Sequence, residues 1–171
     1  MQTPNREITA RHPAARHEAG SRLIFARLAP LYAWATPASY AVMRAVFGIV
    51  LITHGLPKLL GTSHGSMADP MAGSIDLIEN VLDLPMAPVL AMCVALLEGV
   101  GGLLLAAGMA TRPIAILVAM QMAGICFALG PTWPWIDRGI EFPFLMTFLA
   151  LFMAFKGGGR WSIDHLIGKS F

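Results

Sequence analysis

The chain has 171 residues, 56% of them hydrophobic and 13% charged, with a formal net charge of +2. Soluble domains are about 45–50% apolar and roughly 25% charged, so four long apolar stretches in so small a chain leave too little polar surface to cover a water-soluble core. The small net charge forms no global basic surface and argues against nucleic acid as a partner; the length suits one domain.

Residues 1–20 are polar and rich in Arg and His, without the apolar core of a cleavable signal peptide. Residues 21–36 predict a short amphipathic helix lying on the inner membrane surface, with Arg22 and Arg27 toward lipid headgroups, and Pro37 is expected to separate it from the first span. Residues 1–36 thus read as a cytoplasmic tail and 37–171 as the membrane part. A spanning helix needs about 20 mostly apolar residues. Residues 39–60, 86–108, 112–130 and 139–156 approach or meet that length. Between the first two, 74–84 has helical periodicity, with Ile75, Ile78 and Leu82 on one stripe and Ser74 as the expected N-cap. Trp133 and Trp135 before the last span suit an interfacial aromatic belt. The expectation is an all-α protein, a four-helix transmembrane bundle with a short outer-loop helix.

Charge asymmetry orients this bundle. One side collects Arg6, Arg11, Arg16, Arg22, Arg27, Arg112, Lys156, Arg160 and Lys169. The other holds only Lys58 and Arg138 among Asp69, Asp76, Glu79, Asp83 and Asp137. Both termini are therefore expected in the cytoplasm.

Ionisable groups at membrane depth are costly and are candidates for function. The first span carries Arg44, His54 and Lys58, the second Glu98, the third only Gln121 as a strongly polar group, and the fourth opens with Glu141. Arg44, Gly48, Leu51, Gly55 and Lys58 are spaced four, three, four and three, so they share one helix face. The two glycines admit a close neighbour. Arg44 and Lys58 lie roughly 21 Å apart along the axis and cannot share a partner. The second span adds Gly99, Gly101 and Gly102 beside Glu98, and Gly101 and Gly102 are expected at the helix contact. Counted from the inner helix ends, Glu98 lies roughly 8 Å deeper than Arg44. A buried Arg44–Glu98 pair is expected, and Glu141 is expected to meet Lys58 or His54. Such pairs define helix register whether or not they carry chemistry.

These residues resemble a known family. Arg44-x3-Gly48-x6-Gly55-x2-Lys58 is similar to the opening signature of the DoxX family of small membrane proteins. Glu98-x2-Gly101-Gly102-x5-Gly108, followed by Thr111-Arg112, resembles its middle motif, and Glu141 falls at its usual acidic position. The ending Gly157-Gly158-Gly159-Arg160-Trp161-Ser162-Ile163-Asp164 is similar to the family's terminal motif, in which Gly157, Gly159, Arg160, Ser162 and Asp164 carry the likeness. The resemblance covers residues 40–166. It implies a four-helix bundle in the bacterial inner membrane and a loose association with respiratory redox chemistry: some relatives are subunits of thiosulfate:quinone oxidoreductases, and others are linked to oxidative-stress assemblies.

The residues restrict that chemistry. Haem between helices usually needs paired axial ligands, and only His54 lies in a span while His12, His17, His64 and His165 lie outside. Cys93 and Cys126 cannot build an iron–sulfur or zinc set; they read as small buried residues, with a disulfide or redox relay as the alternative. The methionines, such as Met120, Met122, Met146 and Met153, read as core filler and not as a copper site. No metal is expected, and Gly157-Gly158-Gly159 lacks the P-loop spacing; it is expected to end the fourth helix as a left-handed cap. Arg160 and Asp164, four apart, are expected to pair, with Trp161 as an interfacial anchor. The best reading is an accessory membrane subunit of a quinone-linked respiratory or thiol/sulfur redox complex, not catalytic alone. A quinone is then the bound cofactor, His54 and Glu141 handle its protons, and the partners are the lipid bilayer and a second protein or another copy of the chain. The alternative is a noncatalytic anchor or assembly factor. A small transporter fits less well, because four spans are few for an inverted repeat.

Overall fold

A computed structural model describes residues 24–168. The expected tail 1–20, the start of the 21–36 segment with Arg22, and Lys169 lie outside the described residues. The fold is all-helical. Helix α1 (Ala29–Leu60) is entered by a 3-10 turn, Ala26–Leu28, with Pro30 in its first turn, where the missing N–H costs nothing. It runs unbroken through Pro37 and Pro57 and ends at Gly61, whose φ of 65° turns the chain off the axis. The expected break at Pro37 is therefore absent. A proline withdraws one backbone donor, and a helix flanked by apolar turns tolerates that loss.

Helix α2 (Pro70–Asp76) starts earlier than the periodicity predicts. Asp69, not Ser74, is its N-cap: Asp69 Oδ1 accepts from the Ala72 N–H at 2.9 Å, and Ser74 Oγ instead donates to the Pro70 carbonyl at 3.0 Å. It runs on into a π turn, Leu77–Val81, and seats Ile78 against Ala87 and Ala91. Helix α3 (Ala87–Ala107) contains a second π turn, Leu97–Gly101. Helix α4 (Thr111–Leu129) follows a short turn through Gly108 and Ala110, both at positive φ. Helix α5 (Glu141–Lys156) ends at Gly157, with positive φ but an extended ψ of −166°, so its cap is not the left-handed helical one expected. The four-residue α6 (Ile163–Leu166) is capped by Ser162, whose Oγ accepts from the His165 N–H at 3.1 Å.

Helix α1 packs on α3, and α4 packs on α5. The buried core between them joins Phe47, Leu51, Leu105, Val118, Met122, Met146 and Met153. The outward faces are apolar too: Val42, Val46, Val89, Leu103, Met120, Phe148 and Phe155 are all exposed. An outer surface of this kind is covered by lipid tails, since water would not tolerate so large an apolar patch. Among the described residues, three helices, α1, α3 and α4, are long and apolar enough to cross a membrane. Helix α5, with 16 residues, extends about 24 Å at 1.5 Å per residue, short of a hydrocarbon core of about 30 Å without its flanking turns.

Close contact between α1 and α3 sets their register. A Cβ on Gly48 would strike the Gly102 carbonyl and Ala106; one on Gly55 would strike the Gly99 N–H group and Glu98. Gly48, Gly55 and Gly102 therefore lie at the contact as expected. Gly99 joins them, while Gly101 faces Ile114 of α4 instead.

Candidate functional site

Glu98 sits in the π turn of α3, where the widened backbone aims a side chain differently from a regular helix. Because Gly55 brings α1 against Gly99, Lys58, one turn further along α1, reaches this carboxylate. Lys58 Nζ lies 2.6 Å from Glu98 Oε2, with side-chain exposures of 11% and 4%. From α4, Gln121 Nε2 donates to Glu98 Oε1, also at 2.6 Å. Three helices thus converge on one carboxylate, with both oxygens engaged. The Gln121 Oε1 atom is buried and accepts nothing from the described residues.

This trio forms the polar end of a cavity of about 410 Å³. Leu77 and Ile78 of the α2 segment, Leu90 and Val94 of α3, and Leu117 and Ile125 of α4 make its walls apolar. Cys93 lines it as well. Neither cysteine is buried as expected: Cys93 is exposed and Cys126 half-buried, and both are free thiols, so no disulfide joins them. An apolar chamber with a few converging polar groups is the usual form of a small-molecule site.

None of the remaining sequence candidates lines this cavity. Arg44 does not meet Glu98. The glycine contacts place Glu98 level with Lys58, and Arg44 lies roughly 21 Å away along α1. Counting from helix ends misjudged this because it took the two helices as starting level. Arg44 instead donates to backbone: Nη1 to the Gly158 carbonyl and Nη2 to the Trp161 carbonyl at 2.9 Å. Gly108 leaves the space for its guanidinium, since a Cβ there would collide with it. The Tyr40 hydroxyl donates to the Gly157 carbonyl at 2.5 Å. Asp164 does not pair with Arg160. Its oxygens accept from the Ala110 and Thr111 N–H groups at 2.8 and 3.1 Å, satisfying the start of α4. Trp161 is exposed and stacks edge-on against Trp34, ring centroids 6.1 Å apart.

Glu141 meets neither Lys58 nor His54; it is exposed, and its Oε2 accepts from the Trp135 N–H at 3.2 Å in the loop before α5. The sequence distance within that loop is short, so a local backbone donor wins over a side chain on another helix. His54 is exposed on α1 with its ring 4.8 Å from that of His64. The sequence pattern does not single out Tyr40, marks Gly99 only as a neighbour of Glu98, and leaves Gln121 without a role. Its polarity amid an apolar span was the available signal for Gln121.

A model of the DoxX family matches residues 39–131. The chain is 27% identical over 128 residues to "Putative oxidoreductase CatD" of Bacillus subtilis (strain 168), covering 75% of this chain and 86% of that one. It is also 27% identical over 144 residues to an uncharacterized protein of Haemophilus influenzae, covering 78% of this chain and 93% of that one. No solved structure matches.

Proposed function

The chain belongs to the DoxX family, and from that premise we propose that it serves as an accessory membrane subunit of a quinone-linked redox complex. The reading places four crossings in a bacterial inner membrane, with α5 and its flanking turns as the fourth. Both termini face the cytoplasm, because Arg27, Arg112, Lys156 and Arg160 gather at one end. The name of the Bacillus relative supports a redox setting.

The carrying observation is the apolar cavity that ends on Lys58, Glu98 and Gln121. A quinone has an apolar ring and tail and two carbonyl oxygens that need hydrogen-bond donors. The walls suit the former. Lys58 supplies ammonium donors near the latter, and Glu98 beside it can hold a proton in transit. Two electrons from a redox centre on a partner protein and two protons convert the quinone to quinol. The proton role expected for His54 and Glu141 passes to Lys58 and Glu98, since both of the former are exposed and neither lines the cavity.

A noncatalytic anchor is the competing reading, favoured by one fact: both Glu98 oxygens are already engaged by protein donors. The experiment is purification in mild detergent with mass spectrometry of extracted lipids, on the wild type and on Leu90→Trp, which fills the cavity while leaving the polar trio intact. Bound quinone in the wild type and its loss in the variant support the proposal. Equal quinone in both, or none in either, with partner proteins retained, establishes the anchor.

A further inference from the structure

At the opposite end of the bundle, the loop after α5 encloses a second cavity of about 390 Å³. Arg112, Lys156 and Arg160 border it, all exposed, and none forms an ion pair among the described residues. The carboxylate there, Asp164, is buried, and its oxygens are committed to the backbone of Ala110 and Thr111. His165 completes the titratable lining. The local field is therefore positive.

The glycine loop adds backbone donors. The Gly157 carbonyl is turned inward to Tyr40, and the Gly158 carbonyl inward to Arg44. In a trans peptide the C=O and the following N–H point in opposite directions. The Gly158 and Gly159 N–H groups thus point away from those partners, and no described residue accepts from them. Successive outward N–H groups in a turn with positive φ form an anion-binding concavity. The Arg112 guanidinium lies over Gly157, where a Cβ would come within 3.1 Å of its Nε.

A third observation sets the kind of anion. Lys156, Gly159 and Arg160 also border a groove of about 680 Å³ between α1 and α5. Ala33, Met43 and Phe152 contribute apolar walls to it. A cationic cup for a phosphate group thus opens directly onto an apolar groove at the end of two membrane helices. That is the shape of a phospholipid, headgroup and acyl chains together. Basic pockets at this depth suit anionic headgroups.

We infer that the Arg112–Lys156–Arg160 cup and the α1–α5 groove together hold one anionic glycerophospholipid, its phosphodiester on the glycine loop and its acyl chains in the groove. The site is independent of the quinone cavity.

The full chain, reconstituted in nanodiscs of mixed phosphatidylglycerol and phosphatidylcholine, tests this by native mass spectrometry of retained lipid. The wild type is expected to retain phosphatidylglycerol selectively. Lys156→Gln with Arg160→Gln removes two interfacial cations and is expected to lower that selectivity about tenfold or more. Both side chains are exposed, and unchanged helicity and melting in pure phosphatidylcholine verify the fold. Met43→Trp, which obstructs the groove but keeps the cations, is expected to lose the lipid too. Inorganic phosphate is the control: thermal stabilisation by it equal to that by phosphatidylglycerol overturns the inference in favour of a free anion. Equal retention of the two lipids, or retention unaffected by either variant, also overturns it.

Discussion

At one end of α1, Arg44 is surrounded by backbone: the carbonyls of Gly158 and Trp161 accept from it, Tyr40 holds the adjoining peptide, and Asp164 closes the turn into α4. At the other end, Lys58 meets a side-chain carboxylate that borders an apolar cavity. Arg44 is buried and Lys58 largely so, but their partners differ in kind. A guanidinium bound to carbonyls of a loop ties that loop to a helix through Nη1 and Nη2, with Nε left buried and without an acceptor among the described residues. A lysine bound to a carboxylate beside open space retains two groups that can exchange protons. Depth in the membrane is not what separates the two ends. What separates them is the space left beside the charge.

The largest expected effect tests the Lys58 end. Glu98→Leu leaves Lys58 buried without its partner and is expected to cost about 3–5 kcal/mol in detergent unfolding. Adding Lys58→Met removes the orphaned charge, and most of that loss is expected to return while any quinone binding is not restored. A double variant as unstable as the single one would mean that Glu98 is needed for packing beyond its pairing.

Next comes the Arg44 end. Asp164→Ala deprives the Ala110 and Thr111 N–H groups of acceptors, each worth about 1–3 kcal/mol when buried and unpaired. Stability is expected to fall, and limited proteolysis should cut the loop after α5 more readily. Quinone content is expected to be unaffected, which sharpens the division between the ends.

The smallest effect is at the same end. Ser162→Ala removes the N-cap of α6 and is expected to cost about 1 kcal/mol, read as a small drop in melting temperature. A change in quinone content from this variant would break the proposed separation, because Ser162 lies in the loop tied to Arg44.

Membrane residence was legible because it rests on composition, which does not depend on arrangement. The shared face of Arg44, Gly48, Gly55 and Lys58 was legible because helical periodicity alone sets it. The N-cap of α2 was misassigned because Ser74 and Asp69 both precede apolar residues, and the helix simply began a turn earlier. The Glu141 and Asp164 contacts were not legible for a different reason: each carboxylate is held by backbone N–H groups, and a sequence does not display which N–H groups a turn leaves unpaired.

Composition and helical periodicity thus suffice for the solvent of this protein, its apolar helices and the glycine-notched face on the first of them. Which charges meet depends on how the helices pack. Two helices can slide past one another without changing their own periodicity. Here Gly48 against Gly102, Gly55 against Gly99 and the π turn at Glu98 stop that slide, with Lys58 opposite the carboxylate and Arg44 left to the closing loop.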